Sequence, residues 1–199
     1  MKLFHTNTFR WILLLVWIFS LGAVPPKFPA HHFKAYIVQD GKQLPINYHV
    51  VDVKRKPFQI VVDMPDKEGV FVNVSFSKNT YKNALKNVPF KDLNGFSEAA
   101  IYEVWKNPNN ELLVSNTKPC FWFIESRLNH RFSDYEWVNN RYICTRQVNT
   151  IYDVNLHKEV DFRDLSTPMY LTFIKFKKIG DDFRGEELMR HEFKIQWID

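Results

Sequence analysis

Hydrophobic and polar residues alternate along much of the chain after residue 32. Apolar side chains stand at every second position over 58–64 and again over 70–76, and a segment containing proline and glycine, 65–69, separates the two runs. Successive residues of a strand face opposite sides of a sheet, so this period of two predicts strands with one buried face. Two such runs around a short turn predict a β-hairpin.

The same pattern predicts three more hairpins. They span 35–53, 100–115 and 169–198, each with turn-forming residues near its middle. One short helix is predicted over 79–87, where the apolar residues fall on one face of a helix with 3.6 residues per turn. Hairpins in succession indicate an all-β, mainly antiparallel protein.

The segment Phe-Trp-Phe-Ile at 121–124 is apolar on both faces of a strand. Such a strand is typical of a sheet that is covered on both sides. We therefore predict a β-sandwich of hairpins with one short helix, and a closed β-barrel stays as the alternative. Since no repeat or linker divides the chain, 33–199 is predicted to be a single β-rich domain, preceded by an extended segment over 24–32.

The amino terminus has the features of a secretory signal peptide. Lys2 and Arg10 precede an apolar run from Trp11 to Val24, which contains small residues from Ser20 onwards. At 1.5 Å per residue this run reaches about 21 Å, short of the bilayer core of about 30 Å. We predict a cleaved signal over 1–23, a secreted or periplasmic protein and no stable membrane span after cleavage. A retained anchor, and either a bacterial or a eukaryotic source, stay open.

The charge and glycine content narrow the range of functions. The net charge is +5, and the basic residues cluster only in short runs beside apolar strands, so no nucleic-acid partner is predicted. Only six glycines are present, and they form neither a dinucleotide fingerprint nor a nucleophile elbow. The histidines lack the spacing of a zinc site. No cofactor, metal site or catalytic residue is predicted.

The chain contains two cysteines, Cys120 and Cys144. Both follow the predicted signal peptide, and exported proteins meet an oxidising environment. We predict that they form one disulfide, which would stabilise the fold by about 3.5 kcal/mol in the chain-entropy description. A nucleophilic thiol, activated by a histidine such as His130, is the alternative.

Aromatic residues and arginines are concentrated between residues 102 and 142. Trp, Tyr and Arg dominate the energetic hot spots of interfaces, and flat rings also stack on sugars. The candidate ligand-binding residues are Trp105, Trp122, Tyr135, Trp137, Arg131 and Arg141. We expect Tyr135 and Trp137 to be exposed. The sequence thus favours a binding module for a protein or a glycan at the cell surface, with no catalysis implied.

Two other functions fit the same chain. A barrel could carry a small apolar ligand, with a cavity lined by two rows of inward residues, which are Phe58, Ile60 and Val62 and, near the end of the chain, Phe193, Ile195 and Trp197. A secreted hydrolase could use carboxylates of the aromatic region, for which the candidates are Glu103, Glu125, Asp134 and Glu136.

Asn73 begins the sequon Asn-Val-Ser, which predicts a candidate glycosylation site in a eukaryotic secretory pathway. The alternation of the 70–76 strand places Asn73 on its polar face. We therefore expect its side chain to be exposed.

Overall fold

The computed structural model describes residues 32–66, 70–86, 88, 112–114, 120–123, 135–177 and 186–199. The elements of this part are, in chain order, β1 (Lys34–Gln39), β2 (Lys42–Gln43), β3 (Val50–Lys54), β4 (Phe58–Met64), β5 (Val70–Ser75), α1 (Lys78–Leu85), β6 (Leu112–Val114), β7 (Cys120–Phe123), β8 (Tyr135–Val138), β9 (Arg141–Val148), β10 (Ile151–Asp153), β11 (Lys158–Val160), a 3₁₀-helix (Phe162–Asp164), β12 (Met169–Phe176) and β13 (Glu187–Ile198).

These strands form three sheets, which we name A, B and C. Sheet A has the order β2-β1-β4-β9-β8, sheet B the order β3-β13-β12-β5-β7, and sheet C the order β11-β10-β6. Neighbouring strands are antiparallel except in the parallel pairs β3–β13 and β6–β10. The fold is a mostly antiparallel β-sandwich, which confirms the predicted fold class. The alternative was wrong: within the described ranges the sheets do not close into a barrel.

Sheets A and B contribute alternate side chains to one continuous hydrophobic core. Phe58, Ile60 and Val62 of β4 and Phe193 and Ile195 of β13 are at most 2% exposed and belong to this cluster. Burying each such side chain contributes about 1.5–3 kcal/mol. The period of two therefore identified the core face of both sheets correctly.

The sequence pattern predicted where the strands lie better than it predicted which strands pair with each other. The hairpin predicted over 169–198 is present as the antiparallel pair β12–β13. The hairpin predicted over 58–76 is absent, because β4 lies in sheet A and β5 in sheet B. The hairpin predicted over 35–53 is present only between β1 and the short β2. Strand β3, its predicted second half, pairs with β13 in sheet B. The connections after β2 and β4 lead from sheet A to sheet B.

Two further strand predictions concern the middle of the chain. Strand β6 pairs with β10, and its predicted partner at 100–106 lies outside the described residues. Strand β7, expected at the centre of a sheet because it is apolar on both faces, is the last strand in the described order of sheet B. An apolar sequence indicates cover on both faces, which a strand can have at the end of a sheet as well as at its centre.

Helix α1 covers the face of sheet B that points away from the core. Tyr81 of the helix stacks on Tyr170 of β12, with ring centroids 4.8 Å apart, and Ala84 is fully buried. The guanidinium of Arg190 in β13 donates to the carbonyl oxygens of Ala84 and Val88, both at 3.0 Å. A cation there pairs with the carbonyls left free at the carboxyl end of a helix. The helix predicted over 79–87 is thus present, with slightly different ends.

Two buried polar side chains link strands of the sandwich. Gln39 donates from Nε2 to the carbonyls of Lys54 and Lys56, both at 3.1 Å, and accepts from the amide of Lys54 at 2.9 Å. Lys175 is completely buried, and its Nζ lies 2.7 Å from both carboxylate oxygens of Asp66. Both contacts satisfy polar groups that would otherwise be costly to bury.

Residues 31–199 form one compact unit. The predicted signal peptide, 1–23, and most of the predicted extended segment, 24–32, lie outside the described residues. In the described part of the chain no helix has the length and apolar character needed to cross a bilayer.

Candidate functional site

The candidate site is built on the hairpin formed by β8 and β9. The turn between these strands has Asn139 and Asn140 at its centre, with φ angles of 50° and 61°. Asparagine tolerates this left-handed conformation, and two such residues form the turn that best matches the twist of a hairpin. The register of the hairpin then places Trp137 directly opposite Tyr142.

Trp137 and Tyr142 form a pair of rings at the surface, of which Trp137 is exposed and Tyr142 is half-buried. Their centroids are 4.3 Å apart and their planes are inclined by 55°. Tyr142 packs against the core, whereas Trp137 is 56% exposed and its neighbour Val138 is 43% exposed. The ring of Trp137 thus rests on a fixed support while much of its own surface stays in contact with water. We name Trp137, Val138 and Tyr142 the hairpin patch.

Arg141 anchors the hairpin to the rest of sheet A. Its Nε donates to the carboxylate of Asp63 in β4, and its Nη2 donates to the carbonyls of His32 and Asp63, both at 3.1 Å. Arg141 had been predicted as a ligand-binding residue. The structure places it beside Trp137 but commits its guanidinium to contacts within the protein, so it positions the hairpin patch. Nothing in the sequence identified Asp63 as the partner of Arg141, because an acidic residue on the polar face of a strand is common.

The other predicted site residues are divided between the two sheets. Tyr135 lies in β8, opposite Cys144, and so belongs to the same hairpin as Trp137. Trp122 lies in β7 of sheet B, opposite Val72. Trp105 and Arg131 fall outside the described residues. Of the six candidates, the hairpin therefore brings together Tyr135, Trp137 and Arg141.

The expected exposure of Asn73 was wrong. Its side chain is 2% exposed, and its neighbour in the sheet, Thr172, is equally buried. The strand face that carries both residues is the one that helix α1 covers, so the polar residues of this strand do not face water. A glycan on Asn73 has no room in the folded domain, and we do not propose that modification.

The two cysteines lie in opposite sheets. Cys144 in β9 is fully buried, and burial raises the pKa of its thiol to about 12. Cys120 lies in β7, opposite Val74, whose side chain is part of the core between the sheets. Each cysteine thus occupies a strand of a different sheet, and their pairing stays a prediction. A thiol with so high a pKa is a poor nucleophile at neutral pH.

Three histidines meet where the segment before β1 passes β13. The rings of His32 and His191 have centroids 6.3 Å apart, and Nε2 of His191 donates to the carbonyl of Phe33 at 3.1 Å. Nδ1 of His49 donates to the carbonyl of Glu192 at 2.9 Å. Burial lowers the pKa of His191, and this effect outweighs the hydrogen bond to Phe33, which raises the pKa; the charges of the other two histidines lower it further. Within the described ranges no group of three or more His, Cys, Asp or Glu residues is placed to hold a metal ion.

The interior between the sheets is filled by the side chains that a carrier would use to line a cavity. Phe58 of sheet A and Trp197 of sheet B have ring centroids 6.1 Å apart, and Phe162 lies 6.2 Å from both. These rings are 1%, 5% and 8% exposed. They pack against one another where a bound ligand would have to be.

Of the four acids considered for a hydrolase, the structure describes Glu136, an exposed residue of β8. Glu103, Glu125 and Asp134 fall outside the described residues.

The comparisons with known proteins give no relative. The chain has no significant match to a protein-family model, to a curated protein or to a solved structure.

Proposed function

We propose that this protein is an exported binding module that recognises a protein or a glycan at the cell surface through the hairpin patch. The observation that carries the proposal is the exposed ring of Trp137, held on the half-buried ring of Tyr142. Trp and Tyr offer a large contact area with little conformational entropy to lose on binding.

The rigidity of the hairpin supports this function. Arg141 holds the start of β9 against β4 through Asp63 and against the chain before β1 through His32. A ring whose support is fixed before binding loses less freedom when a ligand arrives. The exposed Val138 beside Trp137 adds apolar surface to the patch.

The filled interior favours surface binding over transport of an apolar ligand. Carriers of small ligands enclose cavities of about 300–1,000 Å³. In this protein Phe58, Phe162 and Trp197 contact one another between the sheets. A binding surface on the outside is compatible with such a core.

The test measures binding of the isolated protein to two sets of probes, a printed panel of glycans and the surface proteins of the cells that export it. We expect saturable binding in one of the two sets. The Trp137→Ala variant should weaken that binding by about thirtyfold or more, since removal of a hot-spot residue costs about 2 kcal/mol or more.

The matched control is Tyr48→Ala, which removes an aromatic ring that is 98% exposed on a turn before β3. This variant should bind as the unchanged protein does, and Trp137→Phe should keep part of the affinity. If the Trp137→Ala and Tyr48→Ala variants bind equally well, or neither probe set binds, the proposed function is wrong. Unfolding curves of all three variants show whether a loss of binding reflects a loss of fold.

A further inference from the structure

Helix α1 carries three exposed lysines, Lys78, Lys82 and Lys86, which we name the lysine row. The amide of Lys86, just after the helix, still bonds to the carbonyl of Lys82 at 3.2 Å. Residues four apart lie on one face of a helix, so the row follows the helix axis in steps of about 6 Å. A different face of the helix, with Tyr81 and Ala84, is buried against sheet B.

No acidic group neutralises the lysine row in the described part of the chain. The helix itself contains no Asp or Glu. None of the three lysines takes part in an ion pair with a described residue, whereas other basic side chains do; those pairs are Arg55–Asp199, Lys56–Asp40, Arg141–Asp63, Arg163–Asp161, Lys175–Asp66 and Arg190–Glu187. The row is therefore a local excess of three positive charges.

The charges of the row work against the stability of the helix. Like charges four residues apart on a helix repel each other. Lys78 also lies in the first turn, at the positive end of the helix dipole, where an acidic residue would be favourable and none is present. Positions at which a sequence opposes the stability of its own element are expected at functional sites.

The surroundings of the row restrict what it can bind. Leu85 is 39% exposed, but the other apolar side chains of the helix, Tyr81 and Ala84, are buried against sheet B. The helix therefore has little apolar surface to insert into a bilayer, as an interfacial helix does. Because its aromatic ring is buried, the helix also offers no platform on which the bases of a nucleic acid could stack.

A linear acidic polymer fits the face that remains. Ammonium groups at a regular spacing along a line can each pair with an acidic group of an extended chain, and the exposed amide of Asn79 can bond to hydroxyls. We propose that the exposed face of helix α1 binds an acidic polysaccharide, whose carboxylate or sulfate groups lie along the lysine row. This surface shares no residue with the hairpin patch, so it is a second site beyond the proposed function.

The experiment measures binding of the isolated protein to fluorescently labelled polygalacturonate and dextran sulfate by anisotropy, with neutral dextran as the uncharged probe. We expect saturable binding to both acidic polymers at about 50 mM salt and none to dextran. The logarithm of the binding constant should fall with that of the salt concentration with a slope of about −2, because pairing each lysine with a single anionic chain releases about 0.7 counterion.

Two further probes test the class of partner. A single-stranded oligonucleotide and vesicles containing an anionic phospholipid are titrated at the same salt concentration. We expect both to bind more weakly than the two polysaccharides. Tighter binding of either one would overturn the assignment to a polysaccharide.

Glutamine variants of the row locate the site. Lys82→Gln should weaken binding about fivefold and reduce the salt slope by about 0.7, and the combined Lys78→Gln, Lys82→Gln and Lys86→Gln variant should weaken binding about a hundredfold. Glutamine forms helices about as well as lysine, so urea unfolding should find the triple variant at least as stable as the unchanged protein.

The matched control removes the same total charge elsewhere. Lys42, Lys158 and Lys177 are exposed residues of other segments, and their combined substitution by glutamine should leave binding nearly unchanged. Equal losses in the two triple variants would show that binding follows net charge alone. That result, or no saturable binding to either acidic polymer, would overturn the proposal.

The two binding sites can be tested separately. Trp137→Ala should bind polygalacturonate as the unchanged protein does, because the hairpin patch is not part of the lysine row. Conversely, the triple variant of the row should retain the binding that depends on Trp137. Failure of one proposal therefore leaves the other to its own test.

Discussion

Two pairs of aromatic rings, one buried and one exposed, show how a single sequence pattern leads to different roles. Phe173 and Phe193 in sheet B stack at 5.2 Å and are 0% and 2% exposed. Trp137 and Tyr142 in sheet A are 4.3 Å apart, and Trp137 is 56% exposed. Both pairs stand at alternating positions of antiparallel strands. The first pair is covered by the opposite sheet, whereas the second lies on the terminal hairpin of the described sheet A.

The comparison shows that the role of an aromatic ring depends on which parts of the protein cover it. The alternation of apolar and polar residues along a strand does not reveal that cover. The buried pair contributes to stability through the area it removes from water. The exposed ring of Trp137 adds little to stability. A role in binding would explain why a large apolar ring stands in contact with water at this position. The substitutions below separate these two contributions, from the largest expected effect to the smallest.

Phe193→Ala should lower the free energy of unfolding by about 3–5 kcal/mol, because it leaves a cavity between the sheets. Urea unfolding, followed by circular dichroism, measures this loss. Phe193→Leu is the control and should cost only about 1.5 kcal/mol or less, since it refills most of the volume. A loss below about 1 kcal/mol for the alanine variant would show that the buried pair is not part of a packed core.

The predicted disulfide between Cys120 and Cys144 would join the sheets that enclose the buried pair. Its removal by the Cys120→Ser and Cys144→Ser double substitution should cost about 3.5 kcal/mol if the bond forms. A thiol titration of the denatured, unreduced protein should then find no free thiol. Two titrating thiols would contradict the disulfide and leave Cys144 as the buried thiol that the structure shows.

Asp66→Ala should lower stability by about 3 kcal/mol, because it leaves the completely buried ammonium of Lys175 without its carboxylate. Urea unfolding again gives the value. The Asp66→Ala, Lys175→Met double variant should recover most of the loss, since it removes the buried charge as well. A double variant no more stable than Asp66→Ala would mean that the loss arises from packing and not from the unpaired charge.

His191 should make the fold less stable in acid. Burial lowers its pKa in the folded state, so the unfolded chain binds the proton more readily. The stability due to the neutral ring is complete above the unfolded pKa of about 6.5 and is lost as the pH falls through the lower folded value.

The measurement is the free energy of unfolding between about pH 7.5 and 5, compared with that of His191→Asn, which should fall less steeply with acid. Glu192 has a pKa raised by burial, which acts in the opposite sense, but it is present in both proteins and cancels in the difference. Parallel curves for the two proteins would exclude His191 as the source.

Trp137→Ala should have the smallest effect on stability, about 1 kcal/mol or less, because its ring is already largely in water. The unfolding experiment used for Phe193→Ala provides the comparison directly. A loss as large as that of Phe193→Ala would place Trp137 in the structural core and remove the distinction between the two pairs.

The sequence predicted the positions of the strands better than their partners. Alternation identified β12 and β13, which pair with each other along their length within one sheet, as predicted. It also identified β4 and β5, but the period of two cannot tell a hairpin from a connection that passes between two sheets. Asn73 was assigned to a polar face for a related reason, since its burial depends on the packing of helix α1 against sheet B, which alternation along one strand does not show.

The candidate site was predictable in part. The concentration of aromatic residues pointed to Trp137, and its exposure agrees with that expectation. The commitment of Arg141 to Asp63 depends on the pairing of β4 with β9, which brings residues far apart in sequence into contact.

The central claim is that Trp137 is exposed in the free protein and covered by a partner at the cell surface. Hydroxyl-radical oxidation, read by mass spectrometry, tests it on the isolated protein and on the protein mixed with intact cells of its source. We predict that Trp137 is oxidised readily in isolation and protected on cells, while Phe173 and Phe193 stay unoxidised in both settings. Equal oxidation of Trp137 in the two settings, or its protection in the isolated protein, would contradict the account.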